Sequence, residues 1–291
     1  MARSNSTLIY WIRTYLKRFA AQIDALIAIF IASIVALSLA LSSIYSWGNE
    51  KNASRIAIDD DRRTNDLTMQ ALSVAADPNE IVWLESAGHR FLNLYRPAIN
   101  ATQMAIILLP GQLSHMADGG LLKTLYNELP HSGWSCLLAA LPVQNRTQND
   151  QLKNDERHQE GLQRADQAID YAMADGAGST TLIADRLSVQ IAIETAIARS
   201  DITSGLVLWQ LHSSQLPREK LQQLAQSQIT LLDILPSGLS RHDKINRQRQ
   251  FQLAGFGKNY RQFSPPSGEA AIRYSSRRIR EWAASEFKKN I

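Results

Sequence analysis

From residue 80 onward, uninterrupted apolar runs alternate with stretches whose apolar residues recur at helical spacing, and this alternation constrains the fold more than any other feature. Strands at 80–86 and 89–99 join across Ala87-Gly88 as a hairpin. A strand at 105–111 ends in a glycine loop, and a helix at 121–130 is stopped by its proline. The strand at 133–142 is followed by a polar run, 144–155, that reads as a surface loop, and then by a helix over 158–174. Strand 180–184 feeds helix 187–198, strand 205–211 feeds helix 218–225, and strand 229–235 feeds a helix near 243–253. Strand 259–263 and a last helix, 269–287, complete the chain. Apolar strands separated by helices are buried on both faces and joined by right-handed crossovers, so most of the sheet is parallel. An antiparallel hairpin followed by six parallel strands is the order of the α/β-hydrolase fold. That is the fold class expected: a mostly parallel sheet of about eight strands with helices on both faces. A doubly wound nucleotide-binding domain is the runner-up, but neither a G-x-G-x-x-G after an early strand nor a Walker motif supports it.

The alternation is preceded by a different kind of segment. Residues 25–44, ALIAIFIASIVALSLALSSI, carry no charge, and at about 1.5 Å rise per residue they span a hydrocarbon core about 30 Å thick. The run exceeds the usual h-region of a cleaved signal peptide, about 7 to 15 residues, which favours an uncleaved signal anchor. Arg13, Lys17 and Arg18 flank its N-terminal side, which places the N-terminus in the cytoplasm and the rest in the periplasm of a bacterium. Leu8, Trp11, Ile12, Tyr15 and Phe19 recur opposite those cations, as in an interfacial amphipathic helix. The expected organisation is a cytoplasmic amphipathic segment at 1–21, a transmembrane anchor at 22–45, a polar linker with a short helix at 46–77, and an α/β-hydrolase-like periplasmic domain at 78–291.

Composition narrows the chemistry. The net charge of +4 is concentrated at the two ends, and the central part has no basic stripe with interleaved aromatics, so a nucleic-acid surface is not expected. Cys136, the one cysteine, sits in an apolar run and forms neither an internal disulfide nor a thiol cluster. No metal site and no cofactor are expected.

In the α/β-hydrolase fold the nucleophile stands on a sharp turn after the fifth strand, in the pattern G-x-S-x-G, where small neighbours permit a strained backbone. Here the aligned residues are Ala184, Asp185, Arg186, Leu187 and Ser188, so Arg186 occupies the nucleophile's place. A guanidinium stays protonated and cannot attack a carbonyl. The histidine belongs after the eighth strand, where FSPPSGE at 263–269 offers none, and the last histidine in the chain is His242. For the acid, Asp243 and Asp233 are the available carboxylates, each read as structural or surface. No catalytic residue is therefore assigned. The alternative nucleophiles are Ser188 and Ser114, the latter beside His115 in the loop after the third strand, although adjacent side chains diverge and do not make a dyad. A binding role falls to Arg186 and Asp185: a fixed cation at the start of a helix favours an anion, unless the arginine pairs with Asp185 or another nearby carboxylate.

The stretches IILLPGQLSHM at 106–116, HSGWSCLLAALPV at 131–143, TLIADRLSVQIAIE at 181–194, NYRQF at 259–263 and RIREWA at 278–283 resemble an uncharacterised proteobacterial family of the domain-of-unknown-function type, classed with α/β hydrolases. The resemblance runs from about Pro78 to the C-terminus and implies an exported or envelope protein without a defined substrate. That family's turn keeps glycines, as in G-x-G-x-G-A, where this chain has Ala184, Arg186 and Ser188. The function expected is a non-catalytic domain anchored in the bacterial inner membrane that binds an envelope protein partner or a small anionic ligand; the alternative is a residual serine hydrolase or esterase using Ser114 or Ser188.

Overall fold

The computed structural model describes residues 76–86, 88–100, 103–111, 120–142, 151–211, 217–268 and 270–287, all within the second of the two units, Met1–Asp59 and Asp60–Ile291, into which the chain divides. The anchor expected at 22–45, with the segments on either side of it, lies outside the described residues. Among the described residues no helix is long and apolar enough to cross a membrane.

Eight strands form one sheet: β1 (Ile81–Ser86), β2 (His89–Arg96), β3 (Met104–Leu109), β4 (Ser135–Leu138), β5 (Ser179–Ala184), β6 (Thr203–Trp209), β7 (Thr230–Ile234) and β8 (Tyr260–Phe263). Their spatial order is β1-β2-β4-β3-β5-β6-β7-β8. β1 and β2 pair as the expected hairpin, β2 meets β4 antiparallel, and every later pairing is parallel. The intervening helices are α1 (Leu121–Glu128), α2 (Gln151–Ala174), α3 (Val189–Ala198), α4 (Arg218–Gln226), α5 (Arg241–Ala254) and α6 (Ala270–Phe287).

Side chains of a strand alternate between faces, and each central strand therefore feeds two cores. Ile107 and Leu109 of β3 join Leu182, Leu206, Ile169, Ala192 and Phe251 under α2 to α5. Ile106 and Leu108 face the other way, against Leu125 of α1 and Ile279 and Trp282 of α6. Because both faces are covered, β3 is fully buried from Ile106 to Leu109.

Two elements differ from the sequence reading. α2 begins at Gln151, inside the polar run read as a loop. The second half of that run carries straight-chain helix formers such as Gln151, Leu152 and Lys153, so its polarity is compatible with helix as well as with coil. β4 stops at Leu138 although the apolar run continues to Pro142. Ala140 leaves the ladder because side chains take its backbone: Asn93 Oδ1 accepts its N–H at 3.2 Å, and Arg164 donates to its carbonyl at 2.8 Å.

A buried ion pair fixes the far side of the sheet. Arg247 of α5 grips Asp233 of β7 with two parallel bonds of 2.5 and 2.7 Å and donates to the Leu211 carbonyl at 2.7 Å; the Tyr260 hydroxyl adds a bond of 2.9 Å to Asp233. Both ions are buried, so their lone pairs and protons must be met internally, and this geometry meets them. Arg247→Ala leaves Asp233 without its counter-ion and is expected to destabilise the domain by about 3–5 kcal/mol, measured by urea unfolding.

Candidate functional site

The strand-to-helix turn after β5 lies at the carboxyl edge of the sheet, where open α/β sheets place their ligands. Ala184 ends the strand, Asp185 to Ser188 make the turn, and Val189 opens α3. Two hydrogen bonds define the turn. The Leu187 amide donates to Asp185 Oδ1 at 3.0 Å, and the Ser188 amide donates to the Asp185 carbonyl at 3.1 Å. An aspartate accepting from the amide two residues on is an Asx-turn, which an ordinary right-handed backbone forms without strain. Among described non-glycine residues, positive φ occurs at Gln210 and Gln228, neither of them in this turn. Ser188 itself sits at φ −95° and ψ 0°. The strain that lifts a nucleophile above the sheet is therefore missing from these four residues.

Asp185 is 1% exposed, and its carboxylate lies against Gly111, the residue two positions after β3. A Cβ at Gly111 would stand 2.4 Å from Asp185 Oδ1 and 2.2 Å from Leu187 Cβ, so only a glycine lets the two segments close. In a hydrolase of this fold, the amide after the nucleophile and an amide of the β3 loop together bind the oxyanion. Here the first amide, that of Leu187, is satisfied by a carboxylate of the same turn. A substrate oxyanion in that place would displace a hydrogen bond and meet a like charge.

Ser188 is fully buried. Its hydroxyl donates to the Leu109 carbonyl, with the Asp185 carbonyl at 3.2 Å and Asp185 Oδ1 at 3.4 Å, and among the described residues no histidine is its partner. A hydroxyl has one proton, and here it ties the start of α3 to the end of β3. Ser114 and His115 lie outside the described residues. Arg186 is exposed and forms no ion pair among the described residues; the Arg186–Asp185 pair is not made, because the carboxylate is drawn inward to the Leu187 amide.

The remaining triad positions are committed elsewhere. Asp233 is held by Arg247, and Asp243 caps α5 with Ser240, whose hydroxyl accepts the Asp243 amide at 3.1 Å. His242 is exposed on α5, and His158 pairs with Glu194 at 3.1 Å on the helical layer. Burial pushes the Cys136 thiol far above its usual range, which rules it out as a thiolate nucleophile. No group of three or more metal-ligating side chains converges among the described residues. Among the described residues, cavities of about 420 and 490 Å³ lie between β8 and α6 and over α2, α3 and α4, and neither of these is lined by a residue of the turn.

Sequence alignment to the hydrolase pattern located this turn but missed the Leu187 amide and Gly111. The aspartate two residues before Leu187 was the local signal for an Asx-turn, while the approach of Gly111 is a tertiary fact.

With the sheet order and this turn described, the class is defined: the chain has the α/β-hydrolase fold. Solved structures agree. A protein of unknown function from Agrobacterium tumefaciens, titled a putative alpha/beta hydrolase, superposes with TM-score 0.53 at 13% identity over 72% of this chain and 97% of its own. Est1E from Butyrivibrio proteoclasticus gives 0.54 at 9% identity over 72% and 99%. Proline iminopeptidase from Mycobacterium smegmatis gives 0.52 at 8% over 72% and 100%. A family model described as protein of unknown function (DUF3530) matches residues 30–161, which bears out the expected resemblance to an uncharacterised family. The match begins inside the apolar run and ends within α2, so the stretches at 181–194, 259–263 and 278–283 lie beyond it. No curated protein matches the sequence.

Gly111→Ala is expected to force the β3 loop from the turn and lower stability by about 1–3 kcal/mol, read by thermal and urea unfolding. A neutral result would mean that Asp185 and Leu187 do not pack on Gly111.

Proposed function

We propose that this chain is a non-catalytic, membrane-anchored domain of α/β-hydrolase fold, held in the bacterial inner membrane with its folded part in the periplasm, and that it binds an envelope partner or a small anionic ligand. One observation carries the non-catalytic reading: the Leu187 amide, which hydrolysis would require for an oxyanion, is satisfied by Asp185. Arg186 in the nucleophile's position and the lack of a histidine after β8 support it independently. The anchor rests on the uncharged run at 25–44 and the cations before it.

The same geometry shapes any binding at this edge. Asp185 already occupies the start of α3, so an incoming anion gains little from the helix end. Among the described residues of the turn, the exposed Arg186 guanidinium is the group available to a carboxylate or phosphate, and it favours bidentate recognition.

A residual hydrolase is the competing reading, favoured by the company of the fold; the hydroxyl of Ser188, already donated to Leu109, speaks against that residue as the nucleophile. Fluorophosphonate labelling and a panel of esters separate the two. The purified protein should show neither stoichiometric labelling nor turnover, and Ser188→Ala and Ser114→Ala should behave as wild type. Labelling and turnover that vanish in either variant would establish the hydrolase.

A further inference from the structure

The outward face of α5 is unlike the rest of the helical surface. The helix docks through Arg247, Phe251 and Ala254, which are buried on one side. Opposite them, Arg241, Ile245, Arg249 and Leu253 follow at four-residue intervals on one stripe, with His242 beside it. Ile245 is 40% exposed and stands between the two arginines, and Leu253, 73% exposed, follows Arg249 at the end of the stripe. Arg241 and Arg249 have no ion pair among the described residues. On the other strongly basic helix, α6, most of the arginines are paired: Arg277 and Arg278 share Glu281, and Arg280 reaches Glu128, while Arg273 is exposed without an ion pair among the described residues. The one carboxylate on α5, Asp243, is engaged in the cap with Ser240.

Unpaired cations around projecting aliphatic side chains match the chemistry of an anionic bilayer surface, where guanidinium groups meet phosphates and apolar side chains enter the headgroup region. We infer that the exposed face of α5 rests on the anionic lipid surface of the membrane in which the chain is anchored. The inference builds on the anchored reading proposed above. The anchor supplies a reason for the choice of occupant: about 35 residues separate the apolar run from β1, and a domain joined to its membrane by so short a stretch of chain meets that surface at a high effective concentration. Two cations and two aliphatic side chains give a weak, reversible contact alone, and tethering makes such a contact effective.

The test uses the full-length protein in lipid nanodiscs, labelled with an environment-sensitive fluorophore at Gln252→Cys on the same exposed face; Cys136 is buried and stays unlabelled. Nitroxide-headgroup lipid should quench the label when phosphatidylglycerol is present, and quenching should fall with added salt or in discs of phosphatidylcholine alone. Arg241→Glu with Arg249→Glu should weaken the contact more than about tenfold while the unfolding curve stays unchanged, since both side chains are exposed. Leu253→Ser should reduce the blue shift of the label and leave the salt dependence intact. Quenching that is absent, or equal in the two lipid compositions, overturns the inference. Protection of the label by polyglutamate without lipid quenching assigns the face to an acidic protein and overturns it equally. Alkaline carbonate extraction reads the anchor separately: an extracted chain defeats the anchored reading, and the lipid contact is then measured with the same labelled chain added to vesicles of the two compositions.

Discussion

A single hydrogen bond inside a four-residue turn organises the functional edge of this molecule. The Asp185 carboxylate takes the Leu187 amide, and in doing so it is drawn to 1% exposure against Gly111. Burying a carboxylate there requires that its oxygens be met by donors, and a charge-assisted bond to a backbone amide is of the stronger kind, about 1.5–3 kcal/mol. From that bond follow the relaxed backbone of the turn, the close approach of the β3 loop and the inward direction of Ser188, whose hydroxyl reaches Leu109. Arg186 is left outside as a consequence. The strand-to-helix unit is retained for packing, and the position where a hydrolase gathers positive potential holds a negative group.

The rest of the sheet is stabilised by the same device of polar side chains meeting the backbone where a strand ends. Asn93 and Arg164 take both backbone groups of Ala140 as the chain leaves β4. Arg247 takes the Leu211 carbonyl as the chain leaves β6, while it holds Asp233. Each of these polar groups is buried, so each fixes a crossover geometry at a place where apolar packing alone permits several. Among the described residues, the carboxyl edge is thus built on internal pairings.

Most of the architecture was legible in the sequence because parallel strands covered on both faces leave a clear trace: β3, β5, β6 and β7 read as mostly apolar runs with helical stretches between them. The hairpin, the order of eight strands and the mostly parallel sheet followed from that trace. Strand ends were legible less well. Residues 139–142 are as apolar as β4 itself, and only Asn93 and Arg164, distant in sequence, end the ladder. The first turns of α2 were obscured for the opposite reason, since exposed helix and loop share a polar composition. At the turn after β5, residue types alone established that no serine nucleophile stands in the usual place. Asp185 two residues before Leu187 is the local signal for the Asx-turn, whereas the approach of Gly111, from the loop after β3, is a tertiary contact that the local sequence does not carry.

The account stands on the state of one amide, and hydrogen exchange measured residue by residue with NMR reads it most directly. The Leu187 amide is predicted to exchange slowly in the wild-type protein and to lose its protection in Asp185→Ala, while the amides of Leu182 and Ile183 in the adjoining strand remain protected. A wild-type Leu187 amide that exchanges at the rate of an open loop would contradict the account, because the donor would then be free to receive an oxyanion.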